Sequence, residues 1–108
     1  MTGYTANLHP DLVSKINDLE TLAGFQFNIT SGYRDPEHNK DVGGVENSEH
    51  TYDPSQAVDI SCNNGSERFV IIALALKIGF VRIGIGKTFV HLGIATDKPQ
   101  RVIWHYYP

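Results

Sequence analysis

The sequence contains a single cysteine, Cys62, so the chain can form no internal disulfide and no metal cage built from several cysteines. It also lacks a run of lysine and arginine, because 9 basic and 12 acidic residues are spread along it and give a formal charge of -3. This balance argues against binding to nucleic acid or to an anionic membrane. Its longest apolar stretch, residues 69–76, is too short to cross a bilayer. A metal site in this chain would have to use histidine and carboxylate side chains.

What is present fits one folded domain. The 108 residues suffice for a single hydrophobic core, and we expect one domain over residues 1–108. Hydrophobic residues make up 41% and charged residues 19%, as in ordinary globular proteins. The first residues, MTGYTANLHPDL, have neither the basic nor the apolar segment of a secretory signal, so we expect synthesis in the cytoplasm without a leader. We also expect a monomer.

The first half of the chain predicts a helix, a strand and a short second helix. Apolar residues recur with helical spacing over residues 10–23, and Gly24 follows where that helix would end. Residues 25–29 alternate apolar and polar side chains, which is typical of a strand with one buried face. Residues 35–41 begin with Asp-Pro, which favours a capped short helix.

The second half predicts a polar loop over residues 45–56, a strand over 57–60, and a helix that begins after Asn64 and ends at Gly79. The inward face of this helix is predicted to carry four apolar residues: Phe69, Ile72, Ala73 and Leu76. Three strands then close the chain, at residues 80–85, 88–94 and 102–106. These elements predict an α+β domain in which helices pack on one side of a mostly antiparallel sheet.

Two histidines and an aspartate supply the residue types of a zinc site. His50 lies in the polar loop, Asp59 lies in the strand Ala-Val-Asp-Ile, and His91 lies in a later strand. A carboxylate inside an apolar strand is costly to bury unless it is paired or bound to a metal. Catalytic zinc takes three protein ligands and leaves a fourth position open. The residues therefore predict a zinc site, with a surface loop histidine and a satisfied core histidine as the alternative interpretations.

Further motifs stand in a fixed order around these residues: Ser31-Gly32-Tyr33-Arg34, Asn39, Gly43-Gly44, Ser48-x-His50, Ala57-Val58-Asp59-Ile60 and Phe89-Val90-His91. In this order they resemble the motifs of the M15 zinc peptidases, the group of D-alanyl-D-alanine carboxypeptidases and phage endolysins that shares its fold with the hedgehog signalling domain. The likeness runs from about residue 25 to the C-terminus. An ordered series of motifs is more specific than any one pair of ligands.

The resemblance implies a zinc ion with three ligands: His50, Asp59 and His91. It implies hydrolysis of an amide bond in the peptide part of bacterial peptidoglycan, by zinc that polarises the carbonyl and lowers the pKa of its bound water. Arg34 is the residue that would orient a substrate carboxylate or carbonyl, since its planar fork makes paired hydrogen bonds. Ser48 and Tyr33 are the further candidates for substrate binding. The protein would act on the cell wall.

The chain departs from the family's pattern in two places. The ligand histidine and aspartate are usually seven residues apart, whereas nine separate His50 from Asp59 here, and lengthening a surface loop costs little free energy. Members also carry an acid three positions before the last ligand histidine or two positions after it, where this chain has Thr88 and Gly93. A zinc hydrolase normally uses a general base, which is unassigned here. The candidates for it are His105, Asp53, Glu49 and Glu46.

Two other functions stay open. The absence of an acid at Thr88 and Gly93 favours a catalytically weak or silent zinc domain that recognises the cell wall or a protein. A metal-free binding module is the third possibility. In the enzyme interpretation, the size resembles that of a phage lysin, with a bacterial housekeeping enzyme as the alternative, and the reaction would be that of a carboxypeptidase or an endopeptidase.

Overall fold

The computed structural model describes residues 1–107. The elements in chain order are β1 (Thr2–Gly3), α1 (Pro10–Ala23), β2 (Asn28–Ser31), α2 (Pro36–Asp41), a 3₁₀ helix (Glu49–Thr51), β3 (Ala57–Ser61), α3 (Gly65–Ile78), β4 (Arg82–Ile85), β5 (Phe89–Gly93) and β6 (Val102–His105). The chain is therefore α+β, as the sequence predicts. Within residues 1–107, no helix combines the length and the apolar character that a membrane span requires.

The six strands form one mixed sheet with the order β1-β2-β3-β5-β4-β6. The prediction of a mostly antiparallel sheet is wrong, because β1 pairs with β2 in parallel and β4 pairs with β6 in parallel. The reason is topological. The chain leaves β5 and crosses over to the far side of β4, so β6 runs in the same direction as β4. At the other edge, α1 lies between β1 and β2 in the chain, and such a crossover favours parallel pairing.

The helix α1 has the predicted bounds. It begins with Pro10 in its first turn and ends at Ala23, after which Gly24 adopts a left-handed conformation with φ of 78°. The predicted cap of α2 is also confirmed, since the side chain of Asp35 accepts a hydrogen bond of 2.8 Å from the backbone N–H of His38. Local capping chemistry thus fixes both helix starts.

The strand β2 keeps the predicted alternation but not the predicted bounds. Phe27 and Ile29 are both buried, yet ladder pairing runs over Asn28–Ser31 and not over residues 25–29. The backbone N–H of Phe27 donates instead to the side chain of Glu20 on α1. The carbonyl of the same residue accepts from the N–H of Thr2. The start of the predicted strand therefore packs against α1 and the N-terminus.

The predicted inward face of α3 is wrong. Phe69 is 73% exposed and Leu76 is 52% exposed, whereas Ile71 and Ala75 are the residues that α3 buries completely. The helix is apolar around most of its circumference, so its sequence holds little information about which side meets the core. Contacts with α1 and with β5 decide the orientation instead.

The two faces of the sheet have different characters. On one face, strand residues such as Val58, Ile60, Val90 and Leu92 pack with α1 and α3 into a core that excludes water. On the other face, the strand register aligns a row of residues across the sheet, namely Ser31, Asp59, His91, Gly84 and Trp104. Because side chains alternate between faces, Asp59 and His91 lie in this row while their neighbours along β3 and β5 are apolar. The polar face carries the candidate site.

Candidate metal centre

His50 is brought to the sheet by the 3₁₀ helix. Ser48 precedes this helix, and its Oγ accepts a hydrogen bond of 3.2 Å from the backbone N–H of His50. The Nδ1 atom of His50 lies 2.8 Å from the carbonyl oxygen of Gly32 and donates to it, since a carbonyl can only accept. The Nε2 atom is thereby turned toward Asp59, at 3.2 Å from Oδ1.

Asp59 and His91 are direct partners across β3 and β5. The Nδ1 atom of His91 lies 3.0 Å from Oδ1 of Asp59, and its Nε2 atom lies 2.7 Å from Oε2 of Glu49. One atom from each of His50, Asp59 and His91 falls within 4.8 Å of the others, and all three residues are buried. The structure thus brings together the three residues that the sequence singles out as ligands.

The donor set fits a divalent transition metal such as zinc. Zinc binds imidazole nitrogen and carboxylate oxygen at about 2.0–2.2 Å, which places neighbouring donors of a tetrahedron ~3.3 Å apart. The contacts of Asp59 Oδ1 with His50 Nε2 and His91 Nδ1, at 3.2 and 3.0 Å, are close to that spacing. Both ring nitrogens that face the aspartate have a partner on the opposite side of the ring, as ligand histidines usually do.

The electrostatics of the group favour an ionised aspartate. Burial alone would raise the pKa of Asp59, but hydrogen bonds from His50 and His91 hold it well below its usual range. Burial likewise opposes the charged form of His91, yet the carboxylates of Asp59 and Glu49 raise the pKa of this histidine above its ordinary value. The carboxylates of Asp59 and Glu49 therefore favour a proton or a cation at the imidazole nitrogens that face them.

Arg34 lies beside the aspartate. Its Nη2 atom is 3.5 Å from Oδ2 of Asp59, its Nε atom donates to Ser31 Oγ at 2.9 Å, and its Nη1 atom donates to Asn39 Oδ1 at 3.2 Å. Its ion-pair partner is thus an aspartate on β3 and not one of the acids nearest to it in the sequence. The side chain remains 19% exposed, and a guanidinium has five N–H donors, so it can also bind a ligand.

Glu49 and Arg82 form a buried ion pair behind His91. The Nε atom of Arg82 lies 3.1 and 3.2 Å from the two carboxylate oxygens, and its Nη1 atom donates to the carbonyl of Pro99 at 2.7 Å. Burial would raise the pKa of Glu49, but hydrogen bonds from His91 and Arg82 lower it below its usual value. Sequence reasoning missed Arg82, although an arginine inside the apolar segment Val-Arg-Ile-Gly-Ile was a signal for a buried partner.

Two cavities open on this face. The first, of about 210 Å³, is lined by Arg34, Ser48, His50, Asp59, Phe89 and Tyr106 together with the loop around Gly43. The second, of about 240 Å³, is lined by Glu49, Arg82, His91, Lys98, Trp104 and Tyr106 among others. Aromatic rings therefore form much of the wall on the side of β6, and burial raises the pKa of Tyr106 to about 12.

The other candidates lie elsewhere or have other partners. His105 is exposed on β6, and its Nδ1 atom contacts the carbonyl of Tyr107. Asp53 is exposed and accepts a hydrogen bond from Asn7, while Glu46 is exposed in the loop before the 3₁₀ helix. Tyr33 is half-buried and lines neither cavity. Of the four candidates for the general base, only Glu49 lies at the site, and it is already paired.

Comparison with known proteins agrees with this geometry. The family model described as Peptidase M15 matches residues 1–93, which include His50, Asp59 and His91. A search of curated proteins finds no match to the chain. Because the family model covers most of the sequence, the match supports a peptidase-type function for this chain. The chain belongs to the peptidase M15 family.

Proposed function

We propose that this protein is a zinc-dependent peptidase that hydrolyses an amide bond in the peptide part of bacterial peptidoglycan. The observation that supports the proposal most strongly is the meeting of His50 Nε2, Asp59 Oδ1 and His91 Nδ1 in a chain of the M15 family. We extend the proposal to the fold, which would be the one that DD-peptidases share with the hedgehog signalling domain. The α+β layout is compatible with it.

The three donors would hold the metal, and their orientation is already set by the protein. A zinc ion at this position would supply Lewis-acid polarisation of a carbonyl and would lower the pKa of a bound water. The carbonyl of Gly32 accepts a hydrogen bond from Nδ1–H of His50, so Nε2 is the nitrogen that would bind the metal. His91 is held in the same way by Glu49. Preformed donors of this kind reduce the reorganisation that binding would otherwise need.

Arg34 would bind and orient the substrate. It lines the first cavity next to Asp59, where its free N–H groups can bind the carboxylate or carbonyl of a peptide. Phe89 and Tyr106, with ring centroids 5.2 Å apart, would form an apolar wall that excludes water from the bound peptide. A short peptide that carries a carboxylate fits these groups, which is the chemistry of a peptidoglycan stem.

The proposal is tested by incubating the purified, zinc-loaded protein with purified muropeptides and analysing the products by mass spectrometry. We expect release either of the terminal D-alanine, which indicates a carboxypeptidase, or of peptide fragments, which indicates an endopeptidase. The metal-free protein and a His91→Ala variant should release neither. Identical product profiles from the loaded protein and both controls would reject the enzymatic function.

A second candidate function is a zinc-bearing domain that binds the cell wall or a protein partner with little or no turnover. The pairing of the two acids that line the cavities favours this candidate. Asp59 and Glu49 both contact histidine and arginine, so neither carboxylate is unpaired and available as a general base. Retention of the zinc-loaded protein on purified cell wall, without product release, would support this candidate. Product release that His91→Ala abolishes would reject it.

A further inference from the structure

The carboxylate of Glu49 occupies a position that is built for it. Glu49 is only 2% exposed, and its oxygens accept from Arg82 Nε, from the backbone N–H of Ala95 at 3.2 Å, and from His91 Nε2 at 2.7 Å. Burying an acid this completely is costly unless its oxygens are satisfied by hydrogen bonds. All of these partners lie on different segments of the chain, so the carboxylate is fixed from several directions.

Room for this carboxylate is made by a glycine. Gly93 follows His91 on the same face of β5, and a Cβ atom at position 93 would overlap the carboxylate of Glu49. Its neighbour across the sheet is Ala57 on β3, another small residue. Position 93 therefore carries no acidic side chain, and the carboxylate of Glu49 occupies the space where the Cβ atom of such a side chain would lie.

The partner of Nε2 influences which ring nitrogen of His91 can bind a metal. A neutral imidazole carries one proton, and a carboxylate at one nitrogen favours the tautomer with the proton at that nitrogen. Both ring nitrogens of His91 face carboxylates, since Nε2 faces Glu49 and Nδ1 faces Asp59. With a metal on Nδ1, the ring proton has to lie on Nε2, where the carboxylate of Glu49 accepts a hydrogen bond from it. Arg82 holds the carboxylate in place and balances its charge.

We propose that Glu49, held by Arg82 and admitted by Gly93, is a positioning residue that keeps Nδ1 of His91 directed at the metal. The inference rests on the metal site of the proposed function, but not on turnover. Loss of such an outer partner typically lowers metal affinity by roughly 10- to 100-fold. Glu49 would thus act on the metal through His91, and the general base would have to be another group.

Two variants test the inference by different routes. Glu49→Gln keeps the shape and removes the charge, whereas Gly93→Ala keeps the charge and displaces the carboxylate. We expect both to weaken zinc binding by roughly 10- to 100-fold in competition titrations against a chelator. Glu20→Gln controls for the same chemical change in a carboxylate on α1, and Gly65→Ala controls for the added methyl group at a site with open space. Both controls should bind zinc as the wild type does.

A third measurement needs no variant. Nitrogen-15 NMR of the histidine rings in the zinc-loaded wild type should show the His91 proton on Nε2 and coordination through Nδ1. Coordination through Nε2, or wild-type zinc affinity in both Glu49→Gln and Gly93→Ala, would overturn the inference while leaving the peptidase proposal intact. Weaker zinc binding in these variants, together with no hydrolysis by the wild type, would support the inference and reject the peptidase proposal.

Discussion

Asp59 Oδ1 lies 3.0 Å from His91 Nδ1, and the two residues face each other across an antiparallel strand pair although 32 positions separate them in the chain. The ladder hydrogen bonds of β3 and β5 therefore fix the distance between two of the three donors. Only His50 lies outside the sheet, on the 3₁₀ helix, and it is held by Ser48 and Gly32. A site that rests on a sheet is more rigid than one built on loops alone.

Removal of metal should lower the stability of the protein. A ligand that binds only the native state stabilises it by about 2.7 kcal/mol when its free concentration is about 100 times Kd. We expect the melting temperature to fall on verified chelation of zinc and to recover when zinc is restored, as measured by calorimetry. In His91→Ala, which lacks one donor, chelation should have no effect. An unchanged melting temperature in the wild type after complete removal of metal would contradict the prediction.

Replacement of Arg34 should impair substrate binding more than catalysis. Arg34→Lys keeps a positive charge but loses the planar pair of donors, so we expect KM for a peptide with a free C-terminal carboxylate to rise by roughly 10-fold. A peptide with a C-terminal amide tests whether Arg34 recognises the carboxylate. If it does, the wild type and Arg34→Lys should have similar KM values for the amide. Arg101→Lys, at an exposed position, is the matched control. Equal KM values for Arg34→Lys and the wild type would exclude the assigned role.

The contribution of Glu20 to stability should depend on pH. Burial acts to raise its pKa, but hydrogen bonds from the backbone N–H of Phe27 and from the Met1 ammonium lower the pKa below the ordinary value of a glutamate. A group whose pKa is lowered by folding stabilises the native state above its unfolded pKa, and this contribution disappears as the pH falls through the folded value. Glu20→Gln should therefore be less stable than the wild type at pH 7, with a difference that shrinks in acid.

Urea unfolding at several pH values measures this difference. Glu37→Gln, at an exposed position of α2, supplies the control and should show no comparable dependence. A constant difference between Glu20→Gln and the wild type from neutral to strongly acidic pH would show that the charge of Glu20 is not what stabilises the fold.

Substitutions on α3 should distinguish the buried face from the exposed one. Ile71→Ala removes a fully buried side chain and should lower the free energy of unfolding by about 2–5 kcal/mol. Leu76→Ala removes a side chain that is half exposed, and its effect should stay within about 1 kcal/mol. Denaturant unfolding of both variants gives the comparison. Similar costs at the two positions would mean that α3 packs with a different face than described.

Features that depend on neighbouring residues were predictable from the sequence. The bounds of α1 and the cap of α2 follow from proline, glycine and aspartate at their ends, which act within a single turn. The group His50, Asp59 and His91, which could hold a metal, could be named because the surrounding motifs resemble those of a family. For Asp59, the cost of burying a charge inside an apolar strand also indicated a paired or metal-bound carboxylate.

Features that depend on distant contacts were not predictable. The parallel pairing of β6 with β4 requires a crossover whose direction no local pattern encodes. The face of α3 could not be read because apolar residues surround the helix. Glu49 was assigned to the group of candidate bases, since the sequence does not reveal that Arg82 and Gly93 converge on it from two other strands.

Trp104 and Tyr106 line the second cavity, yet both follow the region, residues 1–93, that matches the family model. The candidate metal ligands His50, Asp59 and His91 lie inside that region. Part of the cavity wall therefore lies outside the matched region, whereas Arg34 and Phe89, which line the first cavity, lie inside it. Under the proposed function, exchanging residues 94–108 between related chains should change which peptides the two cavities accept while leaving the candidate ligands His50, Asp59 and His91 in place.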